Sequence, residues 1–180
     1  VNKNVAWGRG IGLLLPSCQR IQSDCPIYGK CGGCQFRHMA YEEELRLKRQ
    51  RIADALERIG HVKLELPPVL GAEHPDRYRN KVQFPVSCGK QGLSVGYYRP
   101  RSHDVVDAPD CLLQPETVTR LRGAFQNWMT AHKLSAYDER TGQGLIRHLC
   151  IRTNSRGESL VCVVVNGKRI PAEETLIGDL

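Results

Sequence analysis

The sequence predicts an α+β protein in which a mostly antiparallel sheet is flanked by helices. Apolar residues recur at helical spacing over 41–59 and again over 115–132. Stretches of strand character occupy 77–86, 92–101, 145–153 and 159–165. The last two are joined by Asn154-Ser155-Arg156-Gly157, a hairpin signal.

In chain order, Val5 to Leu15 reads as a strand with a glycine bend, ended by Pro16-Ser17. Its alternating Gly8, Gly10 and Gly12 fit a bulge or barrel corner; no helix follows to make a nucleotide loop of them. Cys25-Pro26-Ile27-Tyr28-Gly29-Lys30-Cys31-Gly32-Gly33-Cys34 then places three thiols within ten residues. Glycines between Cys31 and Cys34 are expected to reach positive φ and turn both sulfurs toward one point.

Tyr41 to Ile59 is the clearest helix. Tyr41, Leu45, Ile52, Leu56 and Ile59 form its apolar stripe, Glu42, Glu43 and Glu44 sit in the first turn, and Gly60 supplies the stop. The stretch from Arg77, read at period two, puts Arg77, Arg79, Lys81 and Gln83 on one strand face. Tyr78, Val82 and Phe84 fall on the other. The first face suits a phosphate backbone, with Asn80 and Gln83 available to a base edge; the alternative is an edge strand protected by charge. Pro115 to His132 is the second helix, with Val118, Leu121, Phe125, Trp128 and Met129 as a core stripe. The apolar character of 145–153 and 159–165 predicts central positions in the sheet. A third helix begins at Pro171-Ala172-Glu173-Glu174, two turns before Leu180, which suggests that both ends are truncated.

The chain has 180 residues and a formal charge of +7. Residues 1–101 carry 17 Lys/Arg against 9 Asp/Glu, and residues 102–180 carry 9 against 10. The excess is therefore +8 in the first part and −1 in the second, which points to a polyanion partner. No run approaches the roughly 18 apolar residues of a membrane span, and no charged-then-apolar leader opens the chain. A cytoplasmic, monomeric protein is expected, and its eight cysteines are read as metal-binding or structural thiols rather than disulfides.

A structural zinc site takes two close ligand pairs. Here there is one CxxC pair with a third Cys six positions upstream, closer to iron–sulfur ligation. A fourth ligand could be Cys18, Cys88, Cys111, Cys150 or Cys162, with His38 as a substitute. Cys150 and Cys162 fall in apolar strands and read as buried structural thiols, Cys88 in a hairpin loop, and Cys111 in a Pro-bracketed loop that leaves its sulfur free to turn.

Several segments together resemble the bacterial 23S rRNA uracil-5-methyltransferases, the iron–sulfur-containing RNA uracil C5-methyltransferases. They are Cys25-Pro26-x-x-Gly29-x-Cys31-Gly32-Gly33-Cys34-Gln35, Arg77-Tyr78-Arg79-Asn80-Lys81, Gly96-Tyr97, Ser102-His103-Asp104-Val105-Val106-Asp107 and Cys111. The resemblance implies a [4Fe–4S] cluster on Cys25, Cys31, Cys34 and Cys111, and 23S ribosomal RNA as partner. Arg77, Arg79, Asn80 and Lys81 would face the RNA, with Ser102 and His103 nearby; Gln83 joins these RNA-binding candidates from the strand reading alone. It also implies three regions: residues 1–22 as the terminal strand of an OB-like TRAM barrel, 23–60 as cluster segment and helix, and 61–180 as a central RNA-binding domain. In that family a thiolate adds at uracil C6, a base removes the C5 proton and S-adenosylmethionine gives the methyl group, all in a C-terminal Rossmann-like domain. No such glycine-rich turn is present here, so no catalytic residue is assigned and the chain is expected to be silent by itself. The rivals are a stand-alone zinc- or iron–sulfur-bearing RNA-binding module and an electron-transfer protein.

Overall fold

The computed structural model describes Ala6, residues 8–89 and residues 92–180. The chain divides into two compact units, one of residues 1–23 and 36–69 and one of residues 24–35 and 70–180. The cysteine segment therefore groups with the C-terminal part, and the helix that follows it with the N-terminal part.

In the first unit, α1 (Tyr41–Arg58) carries acidic residues in its first turn and exposed pairs Glu43–Arg46 (2.7 Å) and Glu44–Lys48 (2.6 Å). Such pairs support a helix without a core. The expected apolar stripe is not buried: α1 has no buried residue, Ile52 is 51% exposed and Ile59 80%. The helix stop also differs in detail. Gly60 N–H bonds to Ala55 O (3.1 Å), but His61 takes the left-handed conformation at φ 53°. Residues 19–21 lie against 38–40 through Ile21 N–H to His38 O and Ala40 N–H to Gln19 O, both 2.9 Å. Of the terminal strand expected over 5–15, Val5 and Trp7 lie outside the described residues; residues 8–15 form no strand and are exposed.

The second unit holds a five-stranded antiparallel sheet in the order β3-β2-β1-β4-β5. Its strands are β1 (Lys81–Gly89), β2 (Gly92–Tyr98), β3 (Val105–Asp107), β4 (Ile146–Thr153) and β5 (Ser159–Val165). Two helices complete it, α2 (Glu116–Ala131) and α3 (Glu173–Asp179). Val82, Phe84, Val86 and Val95 alternate onto the face covered by α2, whose Val118, Leu121, Phe125, Trp128 and Met129 are buried as expected. Trp128 Nε1 donates to Ala172 O (2.9 Å), and Leu176 of α3 joins the core.

Two strand readings need correction. The strand expected from Arg77 begins at Lys81, because Arg77 adopts φ 57° and leaves the extended region; Tyr78, expected to pack, is 60% exposed. β4 is internal, but β5 is an edge strand. A bulge at Arg147, where Ile146↔Val165 is followed by His148↔Val164, shifts the alternation so that Ile146, Leu149 and Ile151 all reach the core. The hairpin between them closes as predicted: Asn154 Oδ1 accepts from Arg156 N–H (2.9 Å) and Glu158 N–H (3.0 Å), and Gly157 sits at φ 81°.

Candidate metal centre

Residues 24–35 fold on themselves by short-range bonds. Tyr28 N–H donates to Cys25 O (3.1 Å), and Lys30 and Cys31 N–H both reach Ile27 O (3.1 and 3.0 Å). The positive φ in this loop belongs to Gly29 at 80°, not to Gly32 or Gly33. Gly32 is required for a different reason. Its N–H bonds to Tyr98 O (2.9 Å), and a Cβ there would stand 3.0 Å from that oxygen and 3.3 Å from Pro100 N. Backbone proximity, not turn geometry, is what Gly32 provides. Gly33 N–H in turn points at Cys31 Sγ (3.3 Å).

Cys111 is delivered from the other side by Arg77. Its guanidinium grips Asp110 with two bonds (2.8 and 2.9 Å) and also donates to Cys111 O (3.2 Å) and Gln114 O (2.9 Å). Thr119 Oγ1 donates to the same Asp110 carboxylate, and together these donors hold it below the usual carboxylate range, Arg77 most of all. Arg77, read from sequence as RNA-facing, is thus committed to the loop carrying Cys111.

Of the sequence-predicted thiols, Cys31 lies within electrostatic reach of Cys25 and of Cys111. Burial pushes the Cys31 thiol up, and Cys111 and Cys25 push it further, while Gly33 N–H and Arg79 oppose them. Arg79 also lies within electrostatic reach of Cys34 and Tyr97. Tyr97, on the core face of β2, bonds to Cys111, and its phenol is pushed well up, first by burial and then by that thiol. Gln114 Nε2 donates to Tyr97 Oη (3.3 Å), while buried Gln114 Oε1 has no partner among the described residues. Sequence reasoning gave Tyr97, although part of the Gly96-Tyr97 segment, no role at this site, and it did not single out Gln114, which belongs to no recognisable spacing. Cys25, Cys31, Cys34 and Cys111 are all half-buried, whereas Cys18, Cys88 and Cys162 are exposed and no cysteine is in a disulfide. Cys88 lies on β1 rather than in a loop, and exposed Cys162 is not the buried thiol its apolar strand predicts. His38 belongs to the first unit. Among the described residues, no three His, Cys, Asp or Glu side chains converge closely enough to hold a single metal ion.

The remaining candidates are dispersed. Lys81 and Gln83 are exposed on β1, with Lys81 directly opposite exposed Arg152 of β4. Asn80 is exposed and its carbonyl accepts from Thr153 N–H (2.9 Å). Ser102 and His103 lie in a cleft of about 540 Å³ lined also by Gly32, Tyr98, Arg99 and Arg101. His103 stacks on Tyr98 (5.2 Å between centroids, 29°) and its Nδ1 meets Glu139 Oε2 at 2.5 Å.

No family model matches the chain. Curated relatives do. One from Clostridium tetani is 41% identical over 181 residues, spanning all of this chain and 39% of the relative, and bears the name uncharacterized RNA methyltransferase. This chain is similar to part of an RNA methyltransferase. Proteins of the same description from Listeria innocua and Halalkalibacterium halodurans are each 35% identical, over 100% and 98% of the chain. The chain spans about two-fifths of the length of these methyltransferase relatives. Its fold matches that of a tRNA (uracil-54, C5)-methyltransferase from Pyrococcus abyssi, solved with S-adenosyl-L-homocysteine, at a TM-score of 0.66 and 21% identity. That match covers 92% of this chain and 37% of the other. Among the described residues no helix is long and apolar enough to cross a membrane.

Proposed function

We propose that this chain is part of an S-adenosylmethionine-dependent 23S rRNA uracil-5-methyltransferase, and that it contributes a thiolate-held [4Fe–4S] cluster and an RNA-binding surface. The observation carrying the methyltransferase reading is the 41% identity to an RNA methyltransferase across the whole chain. Support for the cluster comes from the donor set itself. Four half-buried thiols suit iron–sulfur ligation in kind and number, and Cys31 lies within electrostatic reach of Cys25 and of Cys111, beside the Arg79 cation and the Gly33 N–H that favour sulfur carrying negative charge. Cys25, Cys31, Cys34 and Cys111 would hold the cluster, and when bound it would supply iron–thiolate bonds that fasten residues 24–35 to the Cys111 loop.

The residues of this chain then have separable roles. Arg77 fixes the Cys111 backbone, Tyr97, held in turn by Gln114, orients the Cys111 sulfur, and Arg79 offsets thiolate charge. For RNA, the better-placed residues are Lys81, Gln83 and Arg152 on the open sheet face, and Tyr98, Arg99, Arg101, Ser102 and His103 around the cleft. Like charges directly opposite on a sheet repel, so the Lys81–Arg152 pair is relieved when a phosphate sits between them. No residue here is assigned to the methyl donor or to the chemical step.

Anaerobic preparation of the chain followed by iron, sulfide and zinc analysis tests the cluster. Iron and sulfide in equal amounts, lost in Cys111→Ser, are expected; zinc without sulfide overturns it. For the substrate, the full-length protein is offered transcripts of 23S rRNA and of tRNA with labelled methyl donor. Methyl transfer to uridine of the 23S transcript is expected, and transfer to tRNA alone overturns the rRNA reading.

A further inference from the structure

Two cysteines outside the candidate metal centre stand face to face. β4 and β5 are paired in register through Cys150↔Cys162. Side chains on a strand alternate between faces, and Leu149 and Ile151 are fully buried, so Cys150 and Cys162 share the opposite, open face. Directly opposed residues of an antiparallel pair have Cα atoms about 4.5 or 5.5 Å apart, and disulfides span Cα separations of about 4.4–6.8 Å. Either kind of pair is therefore bridgeable. Cys162 is exposed and Cys150 half-buried, and Cys150 lies in the field of Cys162, Lys81 and Arg152. Burial and then Cys162 push the Cys150 thiol up, and the two cations oppose them. β5 is the sheet edge, with a neighbour on one side only, so it can yield toward β4.

We propose that Cys150 and Cys162 are a reversible oxidation site that forms a disulfide across β4 and β5 when the protein meets a hydroperoxide. The Cys162 thiol, the more exposed, gives up its proton and its sulfur attacks the peroxide O–O bond. That bond breaks, sulfenic acid forms on Cys162, and the departing hydroxide takes up the proton as water. The Cys150 sulfur, as thiolate, then attacks the Cys162 sulfur; the S–O bond breaks and the second hydroxide leaves with the Cys150 proton as water. Two electrons pass from the thiols to hydrogen peroxide, yielding one disulfide and two waters. Cβ atoms of opposed residues lie about 4.5–5.5 Å apart, against about 3.5–4.5 Å in a disulfide, so closure draws the strands together. Exposed bridges closed in this way are the readily reduced kind. The site stands independently of the RNA and cluster readings.

The test treats the full chain with hydrogen peroxide, alkylates it and digests it with trypsin. Cleavage after Arg147, Arg152, Arg156 and Lys168 places Cys150 and Cys162 on separate peptides, 148–152 and 157–168. The expected product is these two peptides joined, lighter than their sum by two hydrogens, and recovered as two alkylated peptides after dithiothreitol. Cys162 over-oxidised or bridged to another cysteine, with Cys150 still alkylated, overturns the proposal. In Cys150→Ser, peroxide should leave a sulfenic acid on Cys162 that dimedone captures. If Cys162 in that variant is still protected from alkylation without a dimedone adduct, the proposal is likewise overturned.

Discussion

Gly32 shows how much one atom can decide. A Cβ there would press on Tyr98 O and Pro100 N, both backbone and unable to swing away, whereas at Gly33 the nearest atom is Cys31 Sγ at an ordinary 3.4 Å. Gly32→Ala should cost about 1–3 kcal/mol in urea unfolding, as overpacking does, and Gly33→Ala distinctly less; equal costs would mean that the Tyr98 contact is not what fixes the loop. Arg122 is the second residue whose role only its surroundings reveal. It is 4% exposed in the middle of α2, donates to Val95 O (2.9 Å) and pairs with Asp107, which is partly exposed. Removing Asp107 strands a buried charge, while removing Arg122 leaves a carboxylate that water can reach. Asp107→Ala should therefore cost about 3 kcal/mol, at the low end for a broken buried pair, and more than Arg122→Met. His148 gives a pH dependence. Burial first and then Arg147 hold its imidazole below the ordinary 6.5, with Glu139 opposing. The unfolded chain then binds more protons than the folded one just below pH 6.5, so stability is full above that value and falls as pH drops through it toward the lowered folded value. His148→Asn should flatten denaturation midpoints across that window; an unchanged slope would assign the acid sensitivity elsewhere.

At the level of elements, α1 and α2 have similar sequence signatures and opposite fates. Both show apolar residues at helical spacing, yet α2 buries six residues and α1 none. Phe125→Ala should cost about 3–5 kcal/mol, as large-to-small changes in cores do, while Ile52→Ala on α1 should stay within about 0.5 kcal/mol. Thermal or urea unfolding of the two variants checks the contrast. Periodicity reports that a helix has a face; it does not report what covers it. The same holds for β5, whose apolar run Ser159–Val165 predicted a central strand, although it lies at the edge with Leu160 63% exposed. Hydrophobicity measures a preference for burial, whereas sheet order is settled by which strands compete for each ladder.

For the molecule as a whole, the charge asymmetry visible in the sequence becomes a face rather than a strand. Arg77 and Arg79 turn toward the thiols, and Lys81 joins Arg152, some 71 residues away, through the β1–β4 ladder. If that face holds phosphate, Lys81→Ala and Arg152→Ala should each lower the salt slope of RNA binding by about one and weaken binding evenly across sequences. Arg77→Ala should instead lower the stability of the Cys111 loop and leave the salt slope unchanged. Filter binding over a salt series separates the two outcomes.

The sequence by itself determined the α+β class, both long helices, the 154–157 hairpin and the three clustered cysteines, because each rests on local spacing or turn chemistry within a few residues. It also carried the likeness to RNA methyltransferases. Tertiary structure decided that residues 24–35 pack with 70–180, that Arg77 serves Cys111, that Tyr97 bonds Cys111 and is itself held by Gln114, and that Cys150 faces Cys162. Each of these depends on residues far apart in the chain meeting through the sheet register and the Arg77–Asp110 grip, and no local pattern encodes a meeting of that kind.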